Sequence, residues 1–293
     1  FTDFGNETKF LSKARPQLYY RFATPKVKAY AGIFDRSAMR GYYSELFLSD
    51  AARYYDNRVQ GVLGQYVGER GYVELSVDWC GMYSSEARER FRVLSAGCYD
   101  IGRGRHFYAG YALQLFHFAG SQQIEGSVVD NAIVNPYVGA KFNAFFDFDI
   151  KLHGILTMQR DRAVEDEMNM PGGALFQLRM SKWGVYLDEQ IYTGKNLMPY
   201  YYSAPNEIFA NGYGAELYSG STLFGTIPTW SGDRDSSHSF FDTRIGYCNS
   251  FFNDTVSLNA FFAFQCDGTN WGTRQMLELK INLFNEISLQ KKR

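Results

Sequence analysis

The sequence has no long hydrophobic run. No segment reaches the roughly 18 consecutive apolar residues of a membrane-crossing helix, which excludes a helical membrane protein. It has almost no charge imbalance: the formal net charge is -1, so nothing draws the chain to nucleic acid or to strongly acidic partners. It has few cysteines. Cys80, Cys98, Cys248 and Cys266 lie far apart with no CxxC pair, a spacing that argues against metal ligation. They read as isolated small hydrophobes, although an oxidising compartment permits a disulfide. There are only four histidines, no GxSxG elbow and no phosphate-binding glycine loop, so the common signatures of serine hydrolases and nucleotide-binding enzymes are missing. Proline is scarce, at 7 residues.

Aromatic residues and alternation are abundant. Aromatics make up 17% of the chain, with 25 Phe and 22 Tyr, and Gly numbers 28. Aromatics favour strands, and they form girdles at both interfaces of outer-membrane barrels. Over 273–284, Leu277, Leu279, Ile281 and Leu283 alternate with Glu278, Lys280 and Asn282. Just before, Val256, Leu258, Ala260, Phe262 and Phe264 stand against Thr255, Ser257, Asn259 and Gln265. Strict alternation sends successive side chains to opposite faces of a strand. Each stretch runs about ten residues, the length a tilted strand needs to cross a bilayer. A mean hydropathy of -0.32 is compatible with this, because a barrel spreads its apolar residues over every second position.

Residues 1–25 are polar and irregular and read as an N-terminal tail or a lumen-filling segment; 26–293 read as one barrel. The stretch 26–34 is either a first strand or a segment inside the barrel. The stretch 41–48 is a strand candidate before a polar loop holding Asp50, Arg53 and Asp56. Strands are then expected over 58–67, 72–83, 91–99, 106–118, 133–142, 146–156, 174–180, 183–191 and 240–248, ahead of the final pair. Short turns at 69–71, 101–105, 143–145, 181–182 and 249–254 alternate with longer links near 119–130, 160–173 and 194–237. Tight periplasmic turns and long outer loops are the asymmetry of outer-membrane barrels. The expected fold is therefore all-β, a transmembrane antiparallel up-and-down β-barrel of 12–14 strands. The count is 12 if 26–34 is not a full span, and 14 if it and an upstream segment both count.

Size sets which face is which. A barrel of about eight strands can fill its interior with side chains, whereas twelve or more leave a lumen too wide for that. The polar rows then face the lumen and the apolar rows face lipid; a soluble two-sheet sandwich is the competing architecture. The runs GYVELSVDWCGMYSSEARERFRVLSAGCY (71–99), WGVYLDEQIYTGKNLMPYY (183–201) and YGAELYSGS (213–221) resemble an outer-membrane barrel family of Bacteroidota, over most of the chain from about residue 26. That resemblance implies a fold and a location in the outer membrane of a Gram-negative bacterium, with no assigned chemistry. The chain opens FTDFGNETKF, without Met or a signal peptide. An exported barrel needs a leader, so the expectation is that one has been removed.

The inferred lumen rows carry Glu74, Asp78, Arg92, Asp147, Asp149, Lys151, His153, Arg179, Asp188, Asp242, Arg244, Glu278 and Lys280. Such groups either set the field that permeating solutes feel or pair across the interior and close it. The row Asp147, Asp149, Lys151 and His153 favours a network. His238 sits in SSHS beside Asp233 and Asp235, but neighbours on an extended strand point apart, and a solvated loop is the simpler reading. The acidic loop with Asp161, Glu165, Asp166 and Glu167 lacks EF-hand spacing and also reads as solvated. No catalytic residue, metal or cofactor is assigned. Three functions follow in order: a porin-like passive channel for small polar solutes, a plugged structural or accessory barrel docking other envelope proteins, and an outer-membrane hydrolase. The long 194–237 loop can constrict the mouth or fold inward, and Tyr200 to Tyr202 and Trp230 on it could stack on sugar faces. The expected partners are outer-membrane lipid and lipopolysaccharide, with other outer-membrane proteins, and no nucleic acid.

Overall fold

The computed structural model describes residues 16–85, 87–122, 128–201, 213–224 and 237–281. Within them the strands are β1 (Leu18–Ala23), β2 (Val27–Asp35), β3 (Arg58–Val67), β4 (Gly71–Gly81), β5 (Arg90–Ile101), β6 (Phe107–Phe118), β7 (Val129–Asn143), β8 (Asp147–Asp161), β9 (Gly172–Lys182), β10 (Val185–Gly194), β11 (His238–Phe251), β12 (Val256–Cys266) and β13 (Trp271–Ile281). They form one 13-stranded antiparallel sheet in which each strand pairs only with its sequence neighbours. Among the described residues, helix is confined to α1 (Asp50–Tyr55), α2 (Gly214–Leu217) and two single 3-10 turns. The protein is thus all-β and up-and-down. The sheet is not closed into a barrel: β1 and β13 each have one neighbour.

The strand count falls inside the expected range by a different route. The 41–48 stretch forms no strand. Leu46, Phe47 and Leu48 are all buried, and a strand would have turned Phe47 away from its two neighbours. Inside the expected tail, Leu18–Ala23 forms β1, paired with β2 from Leu18↔Ile33 to Ala23↔Lys28. The turn expected at 181–182 lies at 183–184, since β9 runs through Lys182 and β10 starts at Val185. Trp183 (φ 54) and Gly184 (φ 86) both adopt positive φ, the two-residue hairpin geometry that suits the twist of paired strands. The short turns do gather at one end of the sheet, and most of the long connections at the other; the link 267–270 is a short one at the long-connection end. The four cysteines are unpaired.

Pro136 sits inside β7, where it cannot donate to a ladder. Pairing to β8 breaks there, between Val134↔Leu156 and Tyr137↔His153. The side-chain amide of Asn135 donates instead to the Gly154 carbonyl (3.2 Å), opposite the proline in register.

Burial runs opposite to that of a water-soluble sheet. On β4, Glu74 is 1% exposed while Leu75 beside it is 54% exposed. Ser76 and Asp78 are also buried, and Val73 and Trp79 exposed. The same parity holds on β6, with Gln114 in and Leu113 and Leu115 out, and on β8, with His153 in and Leu152 out. A row of buried charge backed by a row of exposed hydrocarbon is informative where a lone surface leucine is not.

Candidate functional site

The charged face wraps around a segment of the chain itself. The connection from β2 to β3 contains a 3-10 turn (Arg36–Ala38), an irregular stretch and α1, capped by the Ser49 hydroxyl accepting from the Ala52 N–H (3.2 Å). Its first anchors are on β4. Arg36 donates to Asp78 (3.1 Å) and to the Asp56 and Arg58 carbonyls (3.1 and 3.0 Å). Glu74 accepts from the N–H groups of Arg40 (2.7 Å) and Gly41 (2.8 Å), from the Tyr43 hydroxyl (3.0 Å) and from Gln65 (2.8 Å). Burial pushes the Tyr43 phenol well above its usual range, and the Glu74 charge adds to it, so the hydroxyl stays a donor.

The same segment reaches the far strands. Tyr42 donates to Gln177 on β9 (2.5 Å) and lies under the Lys151 ammonium of β8 (4.3 Å to the ring centre). Its ring meets Tyr137 of β7 edge-on. Glu45 pairs with Arg244 of β11, and Asp50 with Arg274 of β13 (2.8 Å). Burial pushes the Glu45 carboxyl upward, and Arg244 opposes it. Burial first, then the Glu278 charge, pushes the Tyr54 phenol up to about 12. One short segment touching β4, β7, β8, β9, β11 and β13 requires the sheet to curl around it. We call 36–57 the plug.

A second segment covers the plug from the long-connection end. The Ser49 and Ser221 N–H groups donate to the Ser219 and Glu45 carbonyls (both 2.7 Å), and the Ser219 hydroxyl donates to the Phe47 carbonyl (2.5 Å). Tyr213 donates to Asp161 (2.5 Å) and Tyr218 to Gln159 (2.5 Å), while Tyr200 donates to Glu165. The acidic loop after β8 therefore anchors this segment. Leu46, Phe47 and Leu48 form a buried cluster with Phe116 and Phe118 of β6, Ile133 of β7, Leu175 of β9 and Phe240 of β11, together with Leu197, Tyr213 and Phe224 of the covering segment. The interior thus holds an apolar cluster toward the long connections, interrupted by buried polar groups such as Asn131, Gln159, Asp161 and Asp242, and is polar toward the short turns. The expectation that polar rows face the interior fails in the first layer, where apolar side chains of two chain segments pack against inward apolar residues of the strands. Tyr200 is buried and unavailable to stack on a sugar, while Tyr202 and Trp230 lie outside the described residues.

The residues singled out from sequence all lie on the inward-facing side of their strands, and they divide by task. Glu74 and Asp78 hold the plug. Asp242 receives both forks of Arg244 (3.0 and 2.6 Å), which also reaches Glu45. Asp149 accepts from Tyr108 and lies near Lys151 (3.5 Å) and Lys141 (3.9 Å). Arg179 pairs with Asp188 (3.0 Å). Asp147 is exposed at the short-turn end against Asn143. Arg92 is buried against Phe116 (5.5 Å). Glu278 and Lys280 border a cavity of about 670 Å³ with Asp35, Arg36 and Tyr54. His153 leaves the carboxylate row for an amide network. Gln177 Oε1 can only accept, so His153 Nε2 donates to it (3.0 Å); Nδ1 of the neutral ring then accepts from Asn135 (3.1 Å).

Sequence reasoning missed Gly41, Tyr42, Tyr43, Glu45 and Asp50 as members of this site. The available signal was the unbroken Leu46-Phe47-Leu48, which no lipid-facing strand alternation explains. Gly41 is required sterically: a Cβ there would lie 2.4 Å from Glu74 Oε1 and 2.6 Å from the Ala96 Cβ. Gly41→Ala is expected to cost about 1–3 kcal/mol through overpacking. The readout is a lower urea midpoint, with faster proteolysis within the plug. An unchanged midpoint and cleavage rate would show that the plug does not seat against Glu74.

No protein-family model, no curated protein and no solved structure matches the chain.

Proposed function

We propose that this chain is a bacterial outer-membrane β-barrel whose interior is closed by its own plug. It would be an accessory barrel of the envelope and not an open passive channel. The observation that carries the membrane reading is the inverted burial: charge buried on the inner face, hydrocarbon exposed on the outer. Away from strand ends, Glu189 is the one charged side chain on the outward face of the described strands, and its carboxylate accepts from the Thr243 hydroxyl (2.6 Å). Exposed aromatics gather on that face at the short-turn end, among them Tyr66, Tyr99, Phe107, Phe142 and Trp183, and again near the long connections at Trp79 and Trp271. From Phe91 to Tyr99 along β5 is eight steps, about 26 Å at about 3.3 Å per residue. That stretch is nine residues, within the range of about 9–11 that a tilted strand needs to cross a bilayer.

A bilayer does not tolerate an open sheet edge, so this reading requires β1 and β13 to be joined, directly or through a further strand. The plug lies near both sides of that opening: Asp35 at the end of β2, the strand next to edge strand β1, and Lys280 on edge strand β13 border one cavity. The closed reading rests on the plug, and passage of solute requires its displacement. A hydrolase gains nothing from His153, whose ring nitrogens are taken by amides. The outer-membrane lipids, including lipopolysaccharide, are the partners of the outward face, and the loops at the long-connection end are the surface for other envelope proteins.

Leu113, midway along β6 on the outward face, tests the membrane reading. Leu113→Arg is expected to cost about 2–4 kcal/mol in a bilayer. The same change on a water-facing sheet stays within about 0.5 kcal/mol. A urea titration of both chains in lipid vesicles separates the two, and a neutral result would overturn the membrane assignment.

A further inference from the structure

Between the plug and the inward side chains of β8 to β11 the interior keeps a polar cavity of about 210 Å³. That is the volume of about seven liquid waters, below the range of about 300–1,000 Å³ that suits drug-sized ligands. Its carboxylates are all engaged. Glu45 is held by Arg244, Asp149 by Tyr108 and Lys151, Asp188 by Arg179, and Glu189, on the outward parity of β10, by the Thr243 hydroxyl. Its donors are not exhausted. A guanidinium carries five N–H groups and an ammonium three. Among the described residues Arg53, which is exposed to solvent on one side, makes one hydrogen bond, from Nη2 to the Tyr43 carbonyl (2.9 Å), and Arg179 one, from Nη1 to Asp188 (3.0 Å). Lys151 reaches Asp149 only at 3.5 Å. Ser44, 2% exposed and lining the same cavity, has a hydroxyl oxygen with no hydrogen-bond partner. A buried hydroxyl is ordinarily satisfied, and one left over in a donor-rich cavity marks a place for an acceptor.

We infer that this cavity is a binding site for a small carboxylate, held by Arg53 and Lys151 with the Ser44 hydroxyl donating to it. Access is past the two exposed arginines of the lining, Arg53 on the plug and Arg179 toward the short-turn end. The Arg179 side chain there is 48% exposed, whereas Arg244 at the depth of the site is 12% exposed. The apolar layer seals the opposite end. The inference deepens the closed-barrel reading, because the plug supplies the cavity's roof.

The test is isothermal titration calorimetry of the full chain in detergent micelles. Succinate is the probe, and putrescine, a four-carbon chain of opposite charge, is the counter-probe. Saturable 1:1 binding of succinate and none of putrescine is expected. Arg53→Met, Lys151→Met and Ser44→Ala should each weaken succinate roughly tenfold, the factor for about 1.4 kcal/mol, near the lower bound for a hydrogen bond to a charged group. Lys280→Met, outside the cavity, should leave binding unchanged. No succinate binding by the intact chain, equal binding of putrescine, or variants that bind as the intact chain does would each overturn the site. Ion conductance separates this failure from that of the closed barrel. A conducting chain that binds succinate refutes the plug and leaves the site standing; a silent chain that binds none does the reverse.

Discussion

Excision of residues 40–55 should open the interior. The intact chain in a planar bilayer is expected to carry no discrete current, and the shortened chain to conduct. The excision removes the plug groups that link Glu74 on β4 to Arg244 on β11 and Arg274 on β13, and with them the hydrogen bonds at Glu45, Phe47 and Ser49 that hold the covering segment over the interior. It also removes Leu46, Phe47 and Leu48, around which the apolar layer packs. The sheet itself should survive, because Asp35 and Arg58 are already paired across β2 and β3 and a short turn can join them. The exposed interior would then carry the charges of Asp149, Lys151, Arg179, Asp188 and Asp242, and ion selectivity should respond when these are changed. Steady current from the intact chain, or silence from the shortened one in a verified barrel, would remove the plug from its assigned role.

Arg244→Met is expected to be the most damaging single substitution. Arg244 holds Asp242 with both forks and Glu45 with one of them, all three side chains being largely buried. Removing it strands two carboxylates in the interior, and breaking a buried pair in this way costs about 3–5 kcal/mol. Arg179→Met is the control. Its pair with Asp188 has an arginine nearly half exposed, and pairs open to water contribute about 0–1 kcal/mol. Urea unfolding in lipid vesicles should therefore rank Arg244→Met far below Arg179→Met. Equal midpoints would mean that the plug is not clamped at Glu45. Adding Glu45→Gln to Arg244→Met should recover part of the loss, since one of the stranded charges is then gone.

Alternation was enough to place β3 to β13 and their faces, though not β1, and it wrongly offered 41–48 as a strand. The Val73, Leu75, Val77 and Trp79 row, and the Leu277, Leu279 and Ile281 row, come from local periodicity alone, and they lie on the outward side. Parity also put Glu74, Asp149, Arg179, Asp242 and Lys280 on a shared face, because side-chain direction follows directly from strand register. The plug was not legible for the opposite reason. Its contacts join residues far apart in sequence, such as Glu45 with Arg244 and Tyr42 with Gln177, and no periodicity encodes such pairs. The apolar inner layer did leave a trace. On β6, Leu113 and Leu115 face out while Phe116 and Phe118 face in, so this end of the strand is apolar on both faces. Such a strand packs against protein on one side, and the proposed membrane reading puts lipid on the other. β1 was illegible because its six residues, LYYRFA, are too few to establish a period against a polar neighbourhood.

Hydrogen–deuterium exchange of the full chain in lipid vesicles tests the occupied interior most directly. The amides of Arg40 and Gly41 belong to no strand or helix, and their partner is the buried carboxylate of Glu74. A seated plug predicts that these two amides exchange as slowly as those of β4, and that Glu74→Ala releases them while β4 itself stays protected. Exchange of both at the rate of a free chain in the intact protein would contradict the account.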